Sequence, residues 1–264
     1  LLWIFVLVNI LGTSFYERTV IPLMFLMFGL GAIVIIAGFF FTHEDFAVGL
    51  LAKEGRVHVS GPDSAFNVKT FVTAATLLFA SFIGFDSIAQ AGGEARNPSL
   101  SLPLAIAFSI IVVGSFYMLF TAAVYHAVPW TFIAQESIEK DITAPGMFNY
   151  LLPSKLTIAI IAGAAIALIN DLPAMLLSVS RLMFAWAKDG IFPRKAADIH
   201  PRLHTPHLAI LFSGGMASIG IFGSHFAGDF FLGIDIMVTS MLVNFLLMCI
   251  TLITLPKINP ALSD

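Results

Sequence analysis

Apolar positions in this chain run in long blocks, not in the alternating or one-sided pattern of a water-soluble fold. A helix that crosses a bilayer needs about 20 mostly apolar residues, and stretches of that length recur. Thr19–Phe41 is a full span without a charge, and Leu102–Ala127 is another. Phe71–Gly92 is apolar but interrupted by Gly84 and Asp86 and, at its end, by Gly92 and Gly93. Leu156–Trp186 is long and polar near its middle. With His207–His225 and Phe231–Leu255 the pattern predicts six full spans, preceded by Leu1–Gly12 as the tail of a seventh.

Between the spans, His43–Lys69 and Pro129–Lys155 read as long polar loops, the first with Gly61-Pro62-Asp63 as turn chemistry. Thr13–Arg18, Gly93–Ser101 and Lys188–Pro206 read as short loops. Basic residues separate by side. Arg18, Arg96, Lys188, Arg194, Lys195, Arg202 and Lys257 lie on the short-loop side, at higher density than Lys53, Arg56, Lys69, Lys140 and Lys155 on the other. The positive-inside rule makes the short-loop side cytoplasmic, so the C-terminal end is expected in the cytoplasm.

Composition agrees. Residues AVILMFWYC make up 58% of the chain and charged residues 11%, where a soluble domain carries about 25% charge. That excludes a soluble enzyme and a disordered chain. Thirteen Lys and Arg against 16 Asp and Glu, formally −3, leave no basic surface for nucleic acid. The single Cys249 excludes a disulfide framework and a cysteine zinc site. Residue 1 is Leu, inside an apolar run and without a signal-peptide pattern. Residues 1–264 therefore read as a single transmembrane domain truncated at both ends.

Charges at membrane depth are functional candidates by default, because each is costly in hydrocarbon. Asp235 lies about a turn inside its helix and Arg181 near a cytoplasmic end, so both can reach an interface. Asp86 follows Gly84 in FASFIGFDSIAQAGGEARN. Two readings stand there: a discontinuous helix that offers main-chain groups and a helix end to a charged solute, or a glycine that permits close packing. Asp86 could itself cap a second half-helix. Asp171, next to Asn170 and two residues before Pro173, reads as lining a solute or ion path. His200, His204 and His207 have a metal-like spacing, but Pro201 and Pro206 oppose a helix there and no second cluster accompanies them. No metal, cofactor or enzyme motif is predicted.

Two segments carry a resemblance. FIGFDSIAQAGGEARNPSLSLPLAI, with Phe82, Gly84, Asp86, Glu94, Arg96, Asn97, Pro98 and Pro103, resembles helix six and its following loop in permeases of the amino acid–polyamine–organocation superfamily. SRLMFAWAKDGIFPRKAADIHPRLHTP is similar to the end of that family's helix eight, at Ser180, Arg181, Ala185, Lys188, Asp189, Gly190 and Pro193, and to its His-Pro loop, at His200, Pro201, Thr205 and Pro206.

The resemblance implies an all-α integral membrane protein, a helix bundle of the inverted five-plus-five repeat type with a discontinuous helix six. Residues 1–12 would end helix four, and the later spans would be helices five to ten. It implies a plasma-membrane permease that moves amino acids or related organic amines by alternating access. Ala80, Ser81, Phe82 and Ile83 would form the unwound stretch facing the substrate's ammonium, Gly84 the bend and Asp86 the position beyond it. Asn170, Asp171 and Ala174 would form the adjacent wall. Departures from the pattern are Ala80 in place of a bulky aromatic, no Lys near Met27 in helix five, and Asn170, Asp171 and Pro173 in place of small hydroxyl residues. Phe79 or Phe82 would substitute for the aromatic, or the pocket takes a larger solute. Asp171 would hold a proton, a sodium ion or the cationic end of a substrate. The alternative is a membrane sensor or partner subunit of the same fold that does not transport.

Overall fold

A computed structural model of the chain describes residues 1–59, 66–90, 97–139, 143–228 and 231–258. Every regular element among these residues is helical. The chain divides into two compact units, Leu1–Ser64 with Gly84–Gly214, and Ala65–Ile83 with Gly215–Asp264.

Among the described residues, five helices are long and apolar enough to cross a membrane: Val20–Phe40, Pro98–Ala127, Ser154–Lys188, His207–Ala227 and Gly233–Leu255. Their apolar side chains face outward on most sides, with 0–28% of each span's most apolar window buried by protein. Helices hydrophobic all round are stable in lipid and not in water. Of the remaining expected span, Phe71–Gly92, residues 91 and 92 lie outside the described residues, and the rest holds two short helices and a 3-10 turn.

In the first unit, α1 (Leu2–Leu11) and α2 (Thr13–Phe40) meet at Gly12, whose φ of 112° makes the turn in one residue. The six-residue loop expected over Thr13–Arg18 is therefore helix. α2 packs against α6 (Pro98–Ala127) and α9 (Ser154–Lys188), and α1 packs on α9. Glycines set these crossings. A Cβ on Gly38 would lie 2.5 Å from the carbonyl oxygen of Ala123, and one on Gly163 would lie 2.1 Å from Leu30 Cδ1. Such close approach is how small residues join helices in lipid.

The two expected polar loops contain helices among their described residues, while the turn expected at Gly61-Pro62-Asp63 lies outside the described residues. His43–Lys69 contains α3 (His43–Glu54), and Pro129–Lys155 contains α7 (Trp130–Glu139), α8 (Ala144–Met147) and a 3-10 turn, Phe148–Tyr150. Local chemistry explains α3. Thr42 and Asp45 form a reciprocal capping box, and Gly55, left-handed at φ 68°, ends the helix. The N–H and hydroxyl of Thr42 donate to Asp45 Oδ2 at 2.8 and 2.9 Å and hold that carboxyl below its usual range. Phe46 and Leu50, one turn apart, are both 1% exposed. They join Val34 and Ala37 of α2, Val124 and Ala127 of α6, Phe132, Met147 and Phe148 in one apolar core. Phe46, Phe132 and Tyr150 pack edge-on, with centroids 4.9–5.9 Å apart. A loop reading missed this layer because its charged residues hide a four-residue apolar spacing.

The second unit holds α4 (Val68–Phe79), a 3-10 turn at Ala80–Phe82, the later part of α10 (His207–Ala227) and α11 (Phe231–Ile258). Within it α4 and the 3-10 turn pack on α11.

Candidate functional site

The interruption read at Gly84 is real, and its geometry is local. Asn67 starts α4 by accepting the N–H groups of Lys69 and Thr70 at 2.9 and 3.2 Å. The helix tightens into the 3-10 turn Ala80–Phe82, closed by the Ile83 N–H donating to the Ala80 carbonyl at 3.2 Å. Ile83 is then extended, at φ −62° and ψ 135°, and Gly84 has φ 126°. A Cβ on Gly84 would meet nothing within 4 Å, so the glycine is needed for its backbone angle and not for space. The helix resumes as α5 (Phe85–Gln90). The chain breaks at this glycine, and close packing does not account for it.

The predicted site residues divide between the units. Ala80, Ser81, Phe82 and Ile83 belong to the second unit. There Ser81 is exposed and the other three are half-buried. Phe79, just ahead of them, lies edge-on to Phe245 of α11 at 6.2 Å. Gly84, Asp86, Asn170, Asp171 and Ala174 belong to the first unit. Its α5, which carries Asp86, packs on α9, which carries the other three. The Asp86 side chain lies outside the described residues. On α9 the helical turn sends neighbours apart: Asn170 is 9% exposed, Ala174 is half-buried and Asp171 is exposed. Of the other charges in the spans, Asp235 is exposed and Arg181 half-buried.

α9 runs unbroken through Pro173, which is buried. Proline has no N–H for the carbonyl four residues back, here that of Ile169. Asn9 of α1, 2% exposed, donates from Nδ2 to the Pro173 carbonyl at 3.2 Å and to the Phe5 carbonyl at 3.0 Å. Sequence reasoning passed over Asn9, although an amide inside the apolar run Leu1–Gly12 was the signal. Asn9 Oδ1 and Asn170 Oδ1 are buried without a hydrogen-bond partner among the described residues. An unmet buried acceptor costs about 1–3 kcal/mol unless water, an ion or a solute supplies the donor or charge.

The histidine loop is held by main-chain bonds. His200 Nδ1 accepts the N–H groups of Arg202 and Leu203 at 3.3 and 3.2 Å, and the Thr205 hydroxyl donates to the Ile10 carbonyl at 2.9 Å. In the second unit an open groove of about 920 Å3 lies between α10 and α11, lined by Gly220, Ser224, Gly228 and Met237 among others. It contains none of the predicted site residues. Its lining is mostly small and apolar, with Ser224 and His225 as its polar side chains.

Long apolar helices, a helix break at a glycine in a conformation that L side chains rarely adopt, and polar groups held inside the helix packing define an α-helical integral membrane protein. The chain belongs to the amino acid permease family, whose model matches residues 1–262. It is 29% identical over 147 residues to the branched-chain amino acid permease BcaP of Bacillus subtilis, covering 56% of this chain and 31% of that protein. It is 34% identical over 128 residues to human cationic amino acid transporter 4, covering 48% of this chain and 19% of that protein. To the vacuolar cationic amino acid transporter 2 of Arabidopsis thaliana it is 31% identical over 144 residues, 54% of this chain and 22% of that protein. The chain thus spans less than a third of each of these relatives.

Proposed function

We infer that the protein is a permease, not an enzyme, that carries an amino acid or a related organic amine across a membrane by alternating access. The observation that carries this reading is the break at Ala80–Gly84 within a chain of the amino acid permease family. An interrupted helix places main-chain dipoles at membrane depth, where carbonyls suit an ammonium and a half-helix N-terminus suits an anion. Within the first unit, Asn170, with its unmet buried oxygen, and Asp171 are the residues we assign to solute or ion. Asp171 couples transport to a proton or sodium ion, or receives the cationic end of the solute. The basic side faces the cytoplasm, which sets α3 and α7 on the outer face of the plasma membrane.

The test is uptake of labelled amino acids and amines by the intact protein in liposomes, for the native sequence and Gly84→Leu. Saturable uptake that Gly84→Leu abolishes supports the reading. Native uptake that survives Gly84→Leu removes the helix break from the site. Solute binding without flux favours a sensor or partner subunit of the same fold.

A further inference from the structure

The histidine loop between α9 and α10 closes on itself. The His200 N–H donates to the Thr205 carbonyl, and the His204 N–H donates to the His200 carbonyl, both at 2.9 Å. The Thr205 carbonyl also accepts the His207 N–H at 2.9 Å, where α10 begins. His204 is left-handed, at φ 55°, a region that residues other than glycine enter at a cost. Such a turn persists where surrounding bonds over-determine it. Two of those bonds depend on a ring nitrogen: His200 Nδ1 accepts the main-chain N–H groups of Arg202 and Leu203 at 3.3 and 3.2 Å.

The loop also holds its neighbours. The buried Thr205 donates its hydroxyl to the Ile10 carbonyl at 2.9 Å, in the last turn of α1, where carbonyls have no helical partner. A Cβ on Gly12, the elbow between α1 and α2, would lie 3.9 Å from the Leu203 carbonyl oxygen. The loop, the end of α1 and the start of α10 thus form one bonded corner within the first unit.

Only an unprotonated Nδ1 can accept. The neutral His200 ring carries its proton on Nε2, whereas the charged ring has an N–H at both nitrogens and no acceptor. Histidine changes charge between about pH 5 and 8. In acid, Nδ1–H would face two N–H donors, and the bonds to residues 202 and 203 are lost. The His207 ring stands edge-on to His200 with centroids 5.3 Å apart, so charge on both rings adds repulsion. The other charged or titratable groups of the loop and of the 3-10 turn ahead of it are Arg194, Lys195, Asp198, Arg202 and His204. From α1 comes none, since Leu2–Leu11 has no charged residue.

We propose that the loop 200–207 is an acid-released latch on the corner between α1 and α10, with neutral His200 as its fastener. It is closed at neutral pH and opens as pH falls. The latch goes beyond the transport reading and does not depend on it. On that reading, it lies on the cytoplasmic side and its release slows transport.

The test uses the intact protein in lipid nanodiscs. It reads hydrogen-exchange protection of the amides of residues 202 and 203 at pH 7.5 and 5.5, corrected for the intrinsic rate at each pH. Native protein should lose protection there by at least about fivefold in acid, while the middle of α9 keeps its own. His200→Asn supplies a side-chain oxygen that accepts N–H groups two and three residues on and does not titrate, so it should stay protected at both pH values. His200→Ala has no acceptor and should exchange fast at both. Native protection that is equal at the two pH values overturns the proposal. So does a His200→Asn protein that loses protection in acid as the native one does. In liposomes held at one pH on both sides, native uptake should fall by about threefold from pH 7.5 to 5.5, and that of His200→Asn by less. Equal falls in the two overturn the latch's part in transport. Absence of uptake by the native protein would count against the transport reading alone, and the exchange result would still decide the latch.

Discussion

Around Phe46 and Phe148 the chain is packed without room, whereas around Ala80–Gly84 it is not. Phe148 and Met147 are 0% exposed, and a Cβ on Gly49 would lie 2.1 Å from the Tyr150 carbonyl oxygen. That layer also carries a capping box, an aromatic triad and an ion pair. By contrast α4 and the 3-10 turn have no buried residue, and a Cβ on Gly84 meets open space. Segments with few buried contacts open at low free energy, and segments in a shared core open only near global unfolding. The layer is a fixed platform. On the transport reading proposed above, the broken helix, held at Gly84 by a backbone angle, is the part suited to change conformation.

The largest effect should come from emptying the platform. Phe148→Ala should cost about 3–5 kcal/mol, read as a lower midpoint of thermal unfolding in detergent, with KM of the folded fraction unchanged. Gly84→Ala should reverse that division. It forces a side chain into a disfavoured backbone region at a strain of about 1–3 kcal/mol, so unfolding should shift modestly while uptake falls steeply. A variant at Gly84 that unfolds early and transports normally would erase the contrast.

Thr42→Ala should remove the capping box of α3 and cost about 1 kcal/mol, seen as faster hydrogen exchange in the first turn of α3. Acid should imitate it in part. The Asp45 carboxyl is held below its ordinary 3.8 by the Thr42 N–H and hydroxyl. Its contribution is complete above that value and is lost as pH falls through the lowered folded one. The smallest effect concerns Tyr150. Burial and the bond to Glu54 push its hydroxyl up to about 12 from 10.0. Its contribution is complete below 10 and is lost as pH rises through about 12. Native protein and Tyr150→Phe should therefore differ in unfolding midpoint near neutral pH and converge above that range.

The same contrast explains what could be read from the residues. The helix break was legible because Gly84 and Asp86 stand out against an apolar run, and lipid tolerates neither without a structural reason. The long spans were legible for the same cause, since a bilayer imposes length and hydropathy. α3 and α7 were not, because a short, partly charged helix and a polar loop share composition. Only Thr42 with Asp45, the spacing of Phe46 and Leu50, and Gly55 marked α3. Gly12 replaced an expected loop because one glycine at φ 112° can turn a chain that polar residues 13–18 seemed to need. Asn9 was missed because its acceptor, the Pro173 carbonyl, is 164 residues away. Asn170 and Asp171 are neighbours in sequence yet differ in burial, which only the phase of α9 decides.

The most direct measurement is uptake by the intact protein in liposomes. A labelled amino-acid and amine panel would be run under a proton gradient, a sodium gradient or neither, and repeated with Asp171→Asn. The account predicts saturable uptake of at least one solute, driven by one gradient and uncoupled from it by Asp171→Asn, or gradient-independent exchange in which Asp171→Asn weakens recognition of the solute. Solute binding with no flux under any gradient would contradict it.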